Sequence, residues 1–251
     1  MRRALLNLAL ISAAASWLPA VAAATPVEAA LANPARLEGD RDVDENRRPA
    51  EVLEFFGIEP GMHILEVFAG GGYYTEILSY LVGPKGRVVA HNNTPYLQWA
   101  RAALEKRFTP GRLENVERLT AENDALEFPE GSFDAAVFIL AYHDVYHLDE
   151  PNGWTRIDGP AMLAEVYRAL RPGAVVGVVD HVAADGSPAD TANTLHRIDP
   201  ALLRKDFEAA GFIFEDESQA LRNAQDDHGK PMFAKEVRGR TDRFIFRFRR
   251  P

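Results

Sequence analysis

The feature that most constrains this chain is a repeated order: a short apolar run, then a stretch with helical spacing, several times over. The apolar runs are "MHILEVF", "GRVVAHN", a short one at Val116–Leu119, a strong one at Phe133–Leu140 and another at Ala174–Asp180. Between them lie amphipathic stretches such as "YYTEILSYLVG", "PYLQWARAALEKRF" and "ALLRKDFEAAGF". Strands that are apolar on both faces must be covered on both faces, which means a mostly parallel sheet between two layers of helices. The punctuation agrees. Pro49 suits a first helical position and Gly57 a helix end, Gly83-Pro84 closes the next helix, and Asp199 and Gly211 bracket a later one. Two further strands, near Phe212–Ser218 and Arg243–Phe248, have no helix between them, so this last pair is expected to run antiparallel. In "RFIFRFRR" Phe and Ile alternate with Arg, which predicts a half-buried strand with an arginine face. The prediction is an α/β fold with a mostly parallel seven-stranded sheet and an antiparallel last pair. No internal repeat and no second core is visible. Residues 49–251 form one domain, and residues 25–48, rich in Ala, Asn, Pro and charge, form a loosely packed arm over it.

The first 24 residues are set apart by their composition. Arg2 and Arg3 precede an apolar stretch, Ala4 to Leu18, and Ala22-Ala23-Ala24 fits a small-x-small cleavage site. This is the layout of a secretory signal peptide, and it predicts a periplasmic or secreted protein with no membrane association after cleavage. The apolar stretch is short for a membrane span. There is no cysteine, so disulfides, thiol nucleophiles and cysteine-held zinc are excluded, which suits an oxidising compartment. A net charge of −9 argues against a nucleic-acid surface. A small molecule is the expected partner; oligomeric state is not readable.

The segment "ILEVFAGGGYYTEIL" places three consecutive glycines between the first long strand and its helix. In open α/β sheets that is where ligands bind. A dinucleotide fingerprint fits poorly: Thr75 holds its third glycine position, and "AHNNTP" offers no acid for a ribose. A phosphate loop lacks its lysine. A third reading is S-adenosylmethionine, which carries no pyrophosphate. It needs bare backbone beside its methionine part and an acid, here Glu66, near its ammonium group.

At this point the chain resembles a family. "ILEVFAGGGYYTEIL" looks like motif I of class I S-adenosylmethionine-dependent methyltransferases, and "GRVVAHN" like their second strand. "ENDALEFPEGSFDAAVF" and "VYRALRPGAVVGVVDH" are similar to their adenine-contacting segment and their turn into the fifth strand. The remainder, with "HRID" and "TDRFIFRF", resembles exported bacterial predicted methyltransferases. The resemblance implies a Rossmann-like methyltransferase fold. It implies S-adenosylmethionine as cofactor, held by Glu66, Gly70, Gly72, Asn92, Asp124 and Ala125. Two positions depart from the pattern. Phe68 stands where a first glycine is usual, and Asn92 where an acid usually takes the ribose hydroxyls, so weaker cofactor binding is expected. Phe68 is expected to point away from the cofactor and narrow the pocket.

Methyl transfer needs an acceptor placed behind the methyl group, and a base if the acceptor must lose a proton. "LAYHDVYH" ends the fourth strand and would put Tyr142, His143, Asp144 and His147 on the ligand side; Asp180-His181 ends the neighbouring strand. His143, Asp144 and His181 are therefore the candidate catalytic residues. His196 and Asp199 follow in "NTLHRID", and "NAQDDHGKP" reads as a solvated turn. His143 and His147 have i,i+4 spacing, but no H-E-x-x-H is present and no metal site is assigned. Two other functions remain open on the residues alone: a non-catalytic ligand-binding module on this fold, and a His/Asp metal-assisted hydrolase.

Overall fold

A computed structural model describes residues 23–251; the signal-peptide expectation for residues 1–24 falls, except for its last two residues, outside the described residues. The elements in chain order are α1 (Pro26–Leu31), α2 (Asp44–Arg47), α3 (Pro49–Phe56), β1 (His63–Val67), α4 (Tyr73–Val82), β2 (Arg87–Asn92), α5 (Thr94–Arg107), β3 (Val116–Thr120) and β4 (Phe133–Ile139). They continue with α6 (Gly159–Ala169), β5 (Leu170–His181), α7 (Thr191–Leu195), α8 (Pro200–Ala209), β6 (Ile213–Ser218) and β7 (Arg243–Arg249). The seven strands form one sheet in the order β3-β2-β1-β4-β5-β7-β6. β1 to β5 run parallel, while β7 pairs antiparallel with both β5 and β6, as predicted.

Successive strand residues feed two separate cores, which is why the strands read as apolar throughout. Ile64, Val88, Ala135, Val137, Val179 and Ile245 pack on one face with α1, α3 and α4. Leu65, Val89, Ala136, Phe138, Val178 and Phe246 pack on the other with α6 and α8. Gly177 in β5 is a packing glycine: a Cβ there would lie 2.4 Å from the Phe56 ring, so its absence lets α3 press onto the middle of the sheet. The strand order reverses at β1 and β4, so the switch point lies outside the carboxyl ends of those two strands.

Two local readings change. Arg171-Pro172-Gly173, read as a turn, is part of β5. Leu170 pairs with Phe133 across a register shift, and Gly173 and Ala174 exchange backbone hydrogen bonds with Arg250. The arm is mostly exposed but pinned at a few points. Arg36, whose side chain is fully buried, holds Asp44 through two hydrogen bonds of 2.7 and 2.8 Å, and Val27 and Ala30 join the core. The arginine face of β7 is present: Arg247 donates to Glu215 and to the Phe55 carbonyl, and Arg243 donates to the Asn46 carbonyl. Among the described residues no helix is long and apolar enough to cross a membrane.

Candidate functional site

A cavity of about 880 Å³ opens at the switch point, within the usual size for small-molecule sites. Its floor is the loop after β1 and the ends of β4 and β5. Its walls come from α5, from the arm at Val43 to Arg47, and from residues 232–241. Glu66 and Asp144 are the two carboxylates in its lining.

Glu66 ends β1 with its side chain buried, accepting a 2.5 Å hydrogen bond from the Thr75 hydroxyl. Burial pushes its carboxyl up to about 7, against the opposing pull of Thr75 and Arg107. Gly70 adopts φ +56°, and its backbone and that of Gly71 face the cavity. Gly71 and Gly72 both make room for α5. A Cβ on Gly71 would come within 2.9 Å of Ala103, and one on Gly72, at φ +80°, within 2.8 Å of the Arg107 side chain. Gly72 thus makes room for α5 and does not line the cavity. Arg107 clamps the loop, donating to the Gly71 carbonyl at 2.8 Å and pairing with Asp40 and Glu76.

Asn92 does not reach the cavity. Its amide forms a two-way clamp with Gly70, accepting from the backbone N–H at 2.8 Å and donating to the carbonyl at 3.1 Å. Asp124 and Ala125 are exposed in a turn and do not line the cavity either. The buried member of that turn is Asn123, which accepts a hydrogen bond from Asn93 at 3.0 Å. Phe68 borders the cavity instead of turning away. It sits at φ +57°, a region glycine occupies without strain, and it stacks on Tyr96 with ring centres 4.9 Å apart.

The second group of residues comes together as the chain order suggested. β4 and β5 are neighbours in parallel register, so His143 and Asp180 leave the sheet side by side. The Asp180 carboxylate accepts from the His143 backbone (2.8 Å), from His143 Nδ1 (2.7 Å) and from the His181 backbone (2.8 Å). Burial disfavours a charged His143, but Asp144 and Asp180 outweigh it and raise the imidazole to about 9. His181 is the opposite case. Burial, then His143 and nearby arginines, hold it well below the ordinary histidine value, so it is neutral at pH 7. Its Nδ1 lies 2.6 Å from the Thr241 hydroxyl, and the residue lines the cavity. Asp144 lines it too, with one carboxylate oxygen held by the Tyr96 hydroxyl.

Several expected members are elsewhere. Tyr142 points to the far side of its turn, with its hydroxyl 3.0 Å from Asp206. Asp199 caps α8 through the Ala201 N–H. Tyr73 and Tyr74, by contrast, do line the cavity, and they also hold the arm, donating to Asp44 and to the Arg47 carbonyl. The solvated turn is in fact an anchor: Asp226 is buried and pairs with Arg197 at 2.8 Å. Asp180, His196, Tyr96 and Arg107 were not assigned to the site from sequence. Asp180 was visible as a polar residue at a strand end and His196 as a polar residue in the segment after it; Tyr96 and Arg107 lie on α5, whose approach to the loop leaves no sequence signal.

Residues 24–124, less than half of the chain, match the protein-L-isoaspartate(D-aspartate) O-methyltransferase family. The ubiquinone/menaquinone biosynthesis C-methyltransferase UbiE of Shewanella oneidensis is 33% identical over 51% of this chain and 46% of its own length. The corresponding protein of Hahella chejuensis is 33% identical over 49% and 44%. The chain therefore spans somewhat under half the length of these relatives. Among solved structures, an S-adenosylmethionine-dependent methyltransferase from Aquifex aeolicus superposes with a TM-score of 0.56 at 21% identity, covering 84% of this chain and 98% of that one. Fibrillarin from Aeropyrum pernix, solved with natively bound S-adenosylmethionine, gives 0.53 at 14% identity, covering 82% and 76%. The [4+2]-cyclase SpnF gives 0.56 at 20% identity, covering 88% and 86%. The fold is the Rossmann-like fold of the class I methyltransferases.

Proposed function

We propose that this protein is an S-adenosylmethionine-dependent methyltransferase acting on a small-molecule acceptor. The observation that carries the reading is the pairing of Glu66 with the uncovered Gly70–Gly71 backbone at the switch-point cavity. The family match over residues 24–124 and the similarity to a named methyltransferase over about half of the chain support it.

The residues fit the cofactor unevenly. At the methionine end, Glu66 would hold the ammonium group, and Gly70 and Gly71 let the chain pass close. At the nucleoside end the usual carboxylate is missing, because Asn92 is engaged with Gly70. Phe68, Tyr96 and Trp99 offer aromatic surface there instead, so the base would be held by stacking. S-adenosylmethionine supplies an electrophilic methyl group. The protein supplies position and a proton acceptor. In the tautomer whose Nδ1–H donates to the Thr241 hydroxyl, Nε2 of the neutral His181 would be left to take a proton from the acceptor. Asp180 orients both His181 and His143. The arm and residues 232–241 wall the cavity and narrow its opening to solvent.

The acceptor's size follows from the cavity: about 880 Å³ takes a cofactor and a small organic molecule, not a folded macromolecule. We also place the mature protein outside the cytoplasm, on the signal-peptide layout of residues 1–24 and the absence of cysteine. Calorimetric titration with S-adenosylmethionine is expected to show one site per chain, with an affinity about 1–2 kcal/mol short of what a ribose carboxylate would give. No heat at millimolar ligand would overturn the assignment.

A further inference from the structure

His143 Nε2, Asp144 Oδ1 and His147 Nδ1 are buried in one short segment, and none of them makes a hydrogen bond. An unpaired buried polar atom loses its hydration with nothing in return, so two or three together call for a shared partner. Two of these atoms converge with a third residue. His143 Nε2 lies 3.3 Å from Asp144 Oδ1, and His196 Nδ1 lies 3.4 Å from the same oxygen. The ligating atoms of His143, Asp144 and His196 are all within 4.8 Å of one another, the one such group among the described residues.

We propose that His143, Asp144 and His196 bind a first-row divalent metal ion of the zinc class in the cavity wall. The spacing suits it. Bonds of about 2.0–2.2 Å in a tetrahedral arrangement put neighbouring ligand atoms roughly 3.3–3.5 Å apart. The donor set of two imidazoles and one carboxylate suits such an ion better than calcium or magnesium, which prefer all-oxygen shells. The surroundings are those of a built site. Asp180 accepts from His143 Nδ1 at 2.7 Å, which fixes the tautomer that presents Nε2. The Tyr96 hydroxyl holds the other oxygen of Asp144. His196 is the left-handed C-cap of α7, at φ +49°, and this turn sets its ring beside Asp144.

The site has an inner and an outer side. His143 is wholly buried, whereas Asp144 and His196 line the cavity. An ion there would have three protein ligands and an open position toward the cavity, the pattern of sites that bind substrate. The ligand it would take is an oxygen atom of a small molecule in the cavity. Loading the ion displaces the proton from His143 Nε2, so binding releases protons. The inference does not rest on methyl transfer, and its test needs no cofactor.

The test is titration of the full, chelator-treated chain with Co²⁺, followed by visible absorption, and then displacement by Zn²⁺. One Co²⁺ per chain with the intense bands of a four-coordinate site is expected. His196→Asn, which keeps the left-handed backbone, and Asp144→Asn should each weaken binding at least about tenfold, and Asp180→Asn by about 10- to 100-fold. Circular dichroism checks folding; if Asp144→Asn does not fold, His196→Asn decides alone. Absence of the bands at millimolar Co²⁺, or binding that His196→Asn leaves unchanged, would overturn the proposal.

Discussion

Glu66→Gln is expected to make the ligand-free protein more stable at pH 8 while weakening its hold on S-adenosylmethionine. The sign follows from burial. The folded-state carboxyl sits at about 7, above the ordinary 4.5, because burial penalises the charge. The folded state therefore binds this proton more tightly than the unfolded state does. Stability is unaffected by the group below about pH 4.5, falls as pH rises from there to 7, and carries the full penalty above 7. At about 1.4 kcal/mol per pKa unit the penalty is on the order of 3 kcal/mol. Gln has no charge to bury and its amide oxygen can still accept from Thr75. Urea unfolding at pH 5 and pH 8 checks this. The variant should gain about 2–3 kcal/mol at pH 8 and little at pH 5; an equal gain at both would show that charge burial is not the cause. The same variant should lose about 10- to 100-fold in cofactor affinity, the value of a hydrogen bond to a charged group. A buried acid that costs stability and faces a cavity is held there for a ligand.

Arg197→Ala carries the other large effect, a loss of about 3–5 kcal/mol. The Arg197 side chain is fully buried. It donates to both oxygens of Asp226 (2.8 and 3.1 Å), to the Val182 carbonyl (2.9 Å) and to the Lys230 carbonyl (2.8 Å). Asp226 also accepts from the Asp242 backbone at 2.6 Å. One guanidinium thus ties the segment leaving β5 to the segment leading into β7, and both border the cavity. Removing it leaves a buried carboxylate without its counter-charge and two carbonyls without donors. Urea unfolding measures the loss, and amide hydrogen exchange should rise most in residues 221–242. A loss under about 1 kcal/mol would mean that the pair does not hold this wall.

How much of this was legible in the sequence depended on how local each cause is. The alternation of strands and helices, the antiparallel end and the Asp199 cap rest on periodicity and on residues next to each other in the chain. His143 and His181 could be placed together because both end neighbouring strands of a parallel sheet. The cofactor positions were harder. Asn92 ends the right strand, but whether its amide faces a ligand or the Gly70 backbone depends on the path of a loop 22 residues away. Gly72 was read as ligand-facing, and its lack of a side chain serves Arg107 on a later helix. Asp226 looked like turn composition because its partner, Arg197, is 29 residues away. Long-range pairs of this kind leave no mark on a single sequence.

The central claim is that the cofactor's amino-acid end lies at Glu66 and its base against Phe68 and Tyr96. A crystal structure of the chain soaked with S-adenosylhomocysteine tests it most directly. The ammonium group is expected within hydrogen-bond reach of Glu66, the chain of the ligand over Gly70 and Gly71, and the adenine stacked on the Phe68–Tyr96 wall. A ligand bound instead beside Asp124 and Ala125, or a cavity that stays empty at saturating ligand, would contradict it.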